Sequence, residues 1–364
     1  MKHILLALSL TFGFNLQASV DGAYLDAPYK NLIHPIDSKS NFKNISKSDF
    51  LEMQEIMTPV RAQGARGTCS IFSGIAMLES MLLMNYQFEK DSLDLSEEWL
   101  EYLIMRNRTS DGSNSWSNFN ALRNYGVPTE QTYSYIGQTW EENSFNPMAT
   151  QRCGHLEGRL KKSCLLGHRD PRLLNTPSQV LQSEGNELYD PEFDEARTEA
   201  FEFRNNYIQF SSTNYSVYYT QDVKRLLAKG IPLTMGIEFF YGAWNHRKAI
   251  EFGIGRSEEN WTLGIVGYPE RGSVDYKVSR ENGAGHSVLV VGYDDEKIVK
   301  TTVKMQDGTT KEFTYKGVYY FKNSWGKGGF GRDFNVDGEV FDGYGMITQK
   351  HAHEHGSFYR MPLK

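Results

Sequence analysis

Residues 59–73 read PVRAQGARGTCSIFS and place a cysteine, Cys69, just after two glycines at the start of a helical pattern. Thr68 is a suitable N-cap residue. Apolar residues then recur at helical spacing, at Ile71, Ile75, Leu78 and Leu82. A thiol in the first turn of a helix lies in the positive field of the helix dipole, which favours the nucleophilic thiolate. We therefore predict a buried helix that begins at Cys69 and carries a reactive thiol; the alternative is a small buried hydrophobic residue.

Beyond this segment, helical signals are confined to the N-terminal part of the chain, and strand signals dominate the C-terminal part. Ser96 is a second N-cap, followed by two glutamates in the first turn. Residues 288–291 and 318–321 are short β-rich apolar runs. The sequence Gln-Asp-Gly at 306–308 predicts a hairpin turn between residues 297–305 and 309–315. Helices followed by strands indicate an α+β fold.

Composition and charge exclude several classes of protein. The chain has 364 residues, of which 39% are hydrophobic and 23% charged, so it has the length for one large two-lobed domain or two domains. These fractions argue against a disordered chain and a multi-span membrane protein. The formal net charge of −6 gives no basic surface for nucleic acid.

The N-terminus predicts export. Lys2 and His3 precede an apolar run over residues 4–14, and small residues follow at Ala18 and Ser19. The run is too short to span a bilayer comfortably. We read residues 1–18 as a cleaved signal peptide and expect a secreted or periplasmic protein, with an N-terminal anchor as the alternative.

Three segments, in order along the chain, resemble the papain-like cysteine peptidases. Residues 63–73 are similar to that family's active-site pattern Gln-Gly-x-Cys-Gly-Ser-Cys-Trp-x-Phe-Ser. Residues 285–293, GHSVLVVGY, resemble the strand that opens with the family's catalytic histidine, and residues 322–326, KNSWG, resemble its Asn-Ser-Trp-Gly block. The resemblance implies a papain-like two-lobed fold, with a helical left lobe, a β-barrel-like right lobe and the active site in the cleft between them.

The resemblance also implies catalytic roles and requires no cofactor. Cys69 is expected to be the nucleophile, and His286 its base and later the acid for the leaving amine. Asn323 would orient the imidazole, and Gln63, with the Cys69 backbone N–H, would donate to the oxyanion. Trp325 would shield the Asn–His contact from water. Taken singly, each of these residues also has a purely structural interpretation.

Substrate contacts are expected at five positions, which are Gly112, Ser113, Trp116, Gly285 and Trp325. Only one of the two glycines that let a peptide approach the backbone in this family remains, because its neighbour is Ser113. Gly285 carries no charge, so we predict from it no preference for acidic or basic side chains of the substrate.

The sequence departs from the family at several points. Arg66 stands in place of a disulfide cysteine, and the segment of its usual partner reads SDGS at 110–113, so both ends of that bridge are lost together. Ser70 replaces the tryptophan after the nucleophile. His286 lies further from Cys69 than the usual separation of about 130–150 residues. An insertion at 138–215 and the predicted hairpin at 294–316 account for the excess.

The insertion is charged and contains the other two cysteines. Residues 151–172 are basic and residues 184–204 acidic, which we interpret as a solvated, loop-rich surface excursion rather than a binding module. Cys153 and Cys164 form a disulfide in the simpler interpretation. Zinc bound by these cysteines with His155 and His168 is the alternative, and we predict no metal.

The predicted organisation is a signal peptide (1–18), an N-terminal extension (19–57), a peptidase domain (58–350) with its insertion, and a C-terminal tail (351–364) with a flexible surface histidine cluster. The extension is too short for the family's usual inhibitory propeptide. We expect a monomeric cysteine endopeptidase that forms an acyl-enzyme on protein or peptide substrates, with no nucleic acid partner and no stable membrane span. The alternatives are a thiol amidase on another amide and a catalytically weak binding protein with the same fold.

Overall fold

The computed structural model describes residues 45–140 and 145–364. The predicted signal peptide and the first part of the predicted extension lie outside these residues. Within them, no helix combines the length and apolar character needed to cross a membrane.

Helices predominate in the first half of the described chain, and shorter helices occur in the second half. They are α1 (Phe50–Gln54), α2 (Cys69–Asn85), α3 (Glu97–Met105), α4 (Ser115–Tyr125), α5 (Pro147–Cys153), α6 (Gly158–Gly167), α7 (Ser178–Leu181), α8 (Pro191–Tyr207), α9 (Thr220–Leu227), α10 (Lys248–Glu251), α11 (Glu258–Thr262), α12 (Val274–Glu281) and α13 (Gln349–His355). The two helices predicted from sequence are confirmed. Thr68 is the N-cap of α2, and the Ser96 hydroxyl accepts the Trp99 backbone N–H at 3.0 Å at the start of α3.

Strands dominate the second half. They are β1 (Ser216–Val217), β2 (Leu233–Glu238), β3 (Ile265–Val266), β4 (Gly285–Lys304), β5 (Thr310–Lys322), β6 (Asn335–Val336), β7 (Glu339–Val340), β8 (Tyr344–Thr348) and β9 (Gly356–Tyr359). In the described residues, seven of them form one sheet in the order β1-β9-β2-β4-β5-β8-β3, and β6 pairs with β7. All pairs are antiparallel except β3 with β8.

Strand β4 separates two hydrophobic cores. Its side chains alternate, so that Leu289 and Val291 pack into a core shared with α2 and α3, while Val288 and Val290 pack into a core behind the sheet. A strand buried on both faces explains the continuous apolar run in the sequence. Beyond this buried part, β4 and β5 continue as the predicted hairpin, which is closed by a backbone hydrogen bond from Met305 to Thr309.

The insertion is helical, so the prediction of a loop-rich segment was wrong. A small core of Trp140, Leu156, Leu165 and neighbouring side chains stabilises α5 and α6. The two oppositely charged stretches pair with each other. Arg169 binds Asp190, and Arg172 binds Glu187. The charge pattern therefore reflects ion pairs within the insertion.

The C-terminal residues are integral to the sheet, and the expectation of a flexible surface histidine cluster was wrong. Strand β9 lies between β1 and β2, which fixes α13 against the sheet. Three histidines of α13 are buried and hydrogen-bonded. His351 Nδ1 lies 2.7 Å from the Gly267 carbonyl oxygen, His353 Nε2 lies 2.7 Å from the Tyr319 hydroxyl, and His355 Nδ1 lies 3.1 Å from Glu238.

We predict that acid weakens the fold through its buried imidazoles. Burial lowers the pKa of His351 to about 3, whereas the pKa of an imidazole in the unfolded chain is about 6.5. Below about pH 6.5 the unfolded chain therefore binds a proton that the native state does not, and the free energy of unfolding falls by up to about 1.4 kcal/mol per pH unit per histidine. Urea unfolding of the wild type at several pH values between about 7.5 and 4 measures this slope.

The variant His351→Gln isolates the contribution of one imidazole. Its amide N–H can still donate to the Gly267 carbonyl but does not titrate. We expect it to be less stable than the wild type near neutral pH and to lose stability less steeply on acidification. Parallel stability curves for the two proteins would contradict the prediction.

Candidate active site

Cys69 is the first residue of α2 and is completely buried. Burial raises the pKa of its thiol to about 12, although a hydrogen bond from the Ser287 backbone N–H favours the thiolate. The backbone N–H groups of Cys69 and Ser70, at the start of the helix, also lower the pKa, which is the direction expected from the sequence. Desolvation of the buried sulfur outweighs them.

His286 opens β4 and is hydrogen-bonded to Asn323, with 2.9 Å between Nε2 and Oδ1. The Asn323 oxygen also accepts the Ser324 backbone N–H at 2.9 Å. Because this oxygen can only accept, Nε2 carries the ring hydrogen and Nδ1 carries the lone pair. Nδ1 is buried and has no hydrogen-bond partner among the described residues. The imidazole therefore presents an unoccupied acceptor nitrogen.

Helix α2 and strand β4 meet at the candidate site. The Ser73 and Ser287 hydroxyls are 2.8 Å apart. Ser73 lies one turn after Cys69 in α2, and Ser287 directly follows His286 in β4. This contact joins the first turns of α2 to the start of β4 near the thiol. Of the residues that the sequence predicts to be catalytic, His286 and Asn323 are in direct contact, and Cys69 begins the helix that contacts β4 one residue after His286.

Aromatic rings enclose His286. Trp325 stacks on the imidazole with 4.6 Å between ring centroids, and Trp244 approaches it edge-on at 5.1 Å. Phe239 lies at 6.0 Å. Burial among these rings lowers the pKa of His286 to about 4, opposed by the hydrogen bond to Asn323. Sequence analysis identified Trp325 but missed Phe239 and Trp244, whose only signal was the aromatic-rich run that follows β2.

Gln63 is buried and fixed through both ends of its side-chain amide. Its Oε1 accepts the Ser324 hydroxyl at 2.6 Å, and its Nε2 donates to the Arg66 carbonyl at 2.6 Å. The Gln63 backbone N–H also donates to the Ser324 carbonyl at 2.8 Å. The segment before the thiol is thereby tied to the segment that follows Asn323.

Arg66 is fully buried beside this segment and binds Asp111 through two hydrogen bonds, Nε to Oδ2 at 2.9 Å and Nη2 to Oδ1 at 2.7 Å. It also pairs with Glu101 and donates to the backbone carbonyls of Leu166 and Gln138. These carboxylates raise the pKa of the guanidinium despite its burial. An ion pair therefore joins the two segments between which the resemblance implied a missing disulfide.

A second buried network, which sequence analysis missed, lies behind Asn323. The Lys322 ammonium is buried and donates to the Thr58 carbonyl at 2.7 Å, while the Thr58 hydroxyl donates to Glu79 at 2.5 Å. Burial lowers the pKa of Lys322 to about 8, and Glu79 opposes that shift. This network fixes the end of β5, from which Asn323 follows.

The predicted substrate residues lie in different environments. Trp116 is 55% exposed on α4, and Gly112 has a φ of 109° that favours glycine. The Ser113 hydroxyl is buried and donates to Asn118. Gly285 pairs with Glu238 of β2. Of this set, only Trp116 presents a large exposed side chain.

The cysteines of the insertion, Cys153 and Cys164, are bonded to each other as a disulfide. The histidines of the zinc alternative have other partners. His155 lies 3.0 Å from Asp170, and His168 Nδ1 lies 2.5 Å from Glu98. Glu98, Glu101 and His168 are close enough together to bind a metal ion, but the guanidinium of Arg66 already supplies a positive charge there.

Comparison with known proteins identifies the family. The sequence profile described as papain family cysteine protease matches residues 46–282. The chain therefore belongs to the papain family of cysteine proteases. The matched range contains Cys69 and ends before His286 and Asn323.

Individual relatives are more distant. Cysteine proteinase 1 of Entamoeba histolytica is 34% identical over 87 residues, which cover 22% of this chain and 26% of that protein. The match thus spans about a quarter of that relative's length. Among solved structures, Xylellain, a cysteine protease from Xylella fastidiosa, has a TM-score of 0.48 at 16% identity and covers 94% of this chain and 92% of its own. Digestive procathepsin L2 from Tenebrio molitor has a TM-score of 0.45 at 17% identity, covering 94% and 78%.

We predict that Arg66→Met destabilises the fold strongly. The substitution leaves the Asp111 and Glu101 carboxylates without their buried counter-ion, so the free energy of unfolding should fall by about 3–5 kcal/mol. Arg225→Met is the matched control, because it removes an exposed ion pair with Asp222 and should change stability by less than about 1 kcal/mol. Denaturant unfolding measures both variants, and equal stability of the two would contradict the assignment.

Proposed function

We propose that this protein is a cysteine endopeptidase that hydrolyses peptide bonds through an acyl-enzyme intermediate, with Cys69, His286 and Asn323 as its catalytic residues. The observation that carries the proposal is the imidazole of His286, which is fixed by Asn323 at Nε2 and has an unpartnered Nδ1. A base that is held by a third group and has one open nitrogen is what a thiol nucleophile requires.

In the proposed mechanism, His286 Nδ1 takes the thiol proton of Cys69 as the sulfur attacks the scissile carbonyl carbon. The carbonyl electron pair moves to oxygen, and the tetrahedral intermediate collapses as the imidazolium returns the proton to the leaving amine. Water, deprotonated by the same nitrogen, then releases the acyl group. Asn323 stabilises the imidazolium formed in both halves of the reaction.

We assign the developing oxyanion to the Cys69 backbone N–H and the Gln63 side-chain amide. The contacts of Gln63 with Ser324 and Arg66 support this assignment, because they orient the amide before substrate arrives. Donors that are fixed in advance need no reorganisation when charge develops on oxygen.

We propose that the protein acts outside the cytoplasm, as a secreted or periplasmic enzyme. The disulfide between Cys153 and Cys164 supports this location, since such bonds persist in oxidising compartments. The predicted signal peptide at residues 1–18 is consistent with it.

The experiment that tests the activity is digestion of a peptide library by the wild type and by Cys69→Ala. We expect cleavage by the wild type, none above background by Cys69→Ala, and a loss of at least about 10²-fold in His286→Ala. Cleavage of other amides without peptide cleavage would favour the thiol amidase. Identical digests from the wild type and Cys69→Ala would refute the peptidase.

Thiol labelling separates the enzyme from an inactive binding protein of the same fold. Because the Cys69 thiol is buried and its pKa is raised, an epoxide thiol reagent should modify it with His286 as the base, and His286→Ala should slow the labelling strongly. Equal labelling rates in the wild type and in His286→Ala would support the binding protein.

A further prediction concerns Gln63. Gln63→Ala removes a donor to the oxyanion, so kcat should fall by about 10²–10³-fold with a smaller change in KM. Steady-state kinetics on a peptide substrate identified in the digest measures this. An increase in KM at unchanged kcat would contradict the role of Gln63 in the transition state.

A further inference from the structure

A cavity of about 490 Å³ lies beneath the β4–β5 hairpin, and none of the proposed catalytic residues lines it. Residues 300–304 of β4 form one wall, residues 254–257 form another, and Gly242, Ala243 and Asn245 also line it. The volume lies within the range of small-molecule sites in proteins. The hairpin wall belongs to one of the two additions that lengthen this chain relative to the family's usual spacing.

Three basic residues line the cavity, namely Arg256, Lys300 and Lys304. The Arg256 side chain is only 12% exposed, and its Nε is buried without a hydrogen-bond partner among the described residues. One of its other nitrogens pairs with Glu258. The Lys304 ammonium donates to the Gly253 carbonyl at 3.0 Å, which links the hairpin to the opposite wall.

Two carboxylates also line the cavity, but one of them is fully engaged. Asp275 accepts the backbone N–H groups of Gly242 and Ala243 at 2.9 and 2.8 Å and the Ser279 hydroxyl at 2.6 Å. These donors compensate its charge. Glu259 is the other carboxylate and is exposed. Arg256 is paired with Glu258, so Lys300 and Lys304 are the two cations at the cavity without a carboxylate partner among the described ion pairs.

We propose that this cavity is a second binding site, specific for a small anion that carries several phosphate or carboxylate groups. Arg256 supplies a rigid planar donor, and Lys300 and Lys304 supply mobile point charges on the hairpin. The hydroxyls of Ser257 and Thr302, which also line the cavity, are neutral donors for the remaining ligand oxygens.

The site is connected to the active site by stacked side chains. The Arg256 guanidinium lies 5.2 Å from the Trp261 ring, and Trp261 stacks on Trp325 with 5.7 Å between centroids. Trp325 in turn stacks on His286. A ligand bound to Arg256 therefore changes the electrostatic environment of Trp261, and its binding should alter the intrinsic tryptophan fluorescence.

Calorimetric titration of the full chain with tripolyphosphate and with citrate tests the proposal. We expect saturable binding at one site for at least one of the two anions, and their relative affinity distinguishes a phosphate ligand from a carboxylate ligand. The double variant Lys300→Gln/Lys304→Gln should bind about tenfold or more weakly, since it loses charge-assisted contacts. Cys69→Ala should bind like the wild type, because the site is independent of the thiol chemistry.

Lys297→Gln/Lys311→Gln is the matched control. It removes the same charge from exposed positions of the same hairpin that do not line the cavity. We expect its affinity to stay within about twofold of the wild type at about 0.1 M salt, where distant charges are largely screened. Absence of saturable binding of both anions, or equal weakening in the two double variants, would overturn the proposal.

Discussion

The buried guanidinium of Arg66 is the interaction on which the geometry of the proposed active site depends. Removing a charge from water costs several kcal/mol unless it is paired and hydrogen-bonded, and here Asp111, Glu101 and two backbone carbonyls provide that compensation. Arg66 lies three residues before Cys69, and its own carbonyl fixes the amide of Gln63. The ion pairs and hydrogen bonds of the Arg66 side chain therefore help to position both the proposed nucleophile and a proposed oxyanion donor.

This arrangement gives the insertion a structural role at the active site. The Leu166 carbonyl, one of the acceptors of Arg66, lies two residues after Cys164. The disulfide to Cys153 and the small core around it determine where α6 ends, and so where that carbonyl lies. The disulfide therefore lies in the same segment as a backbone acceptor of Arg66. Residues 138–215 thus contribute to the support of the proposed site.

Elements that are specified by residues close together in the sequence could be predicted, whereas contacts between residues far apart in the sequence could not. The start of α2 at Cys69 and the β4–β5 hairpin are each specified by residues close in sequence, and both are confirmed. The resemblance placed the segment of Asp111 opposite Arg66, 45 residues away, but did not indicate an ion pair. The Leu166 carbonyl lies 100 residues from Arg66, and no sequence pattern indicates it as a partner. The burial of His351 depends on β9 entering the sheet between β1 and β2, a pairing that sequence patterns in the tail do not specify.

The same distinction applies to the charge state of the proposed catalytic pair. A helix terminus favours a thiolate, but contact with β4 buries the sulfur, and burial raises the pKa of Cys69 while it lowers that of His286. Each charged form is thus disfavoured alone, and in the proposed mechanism proton transfer creates both charges together. An ion pair gains more from mutual attraction where water is excluded. Because the hydrogen bond from His286 to Asn323 favours the protonated imidazole, Asn323 acts on the member of the pair that forms only during the reaction.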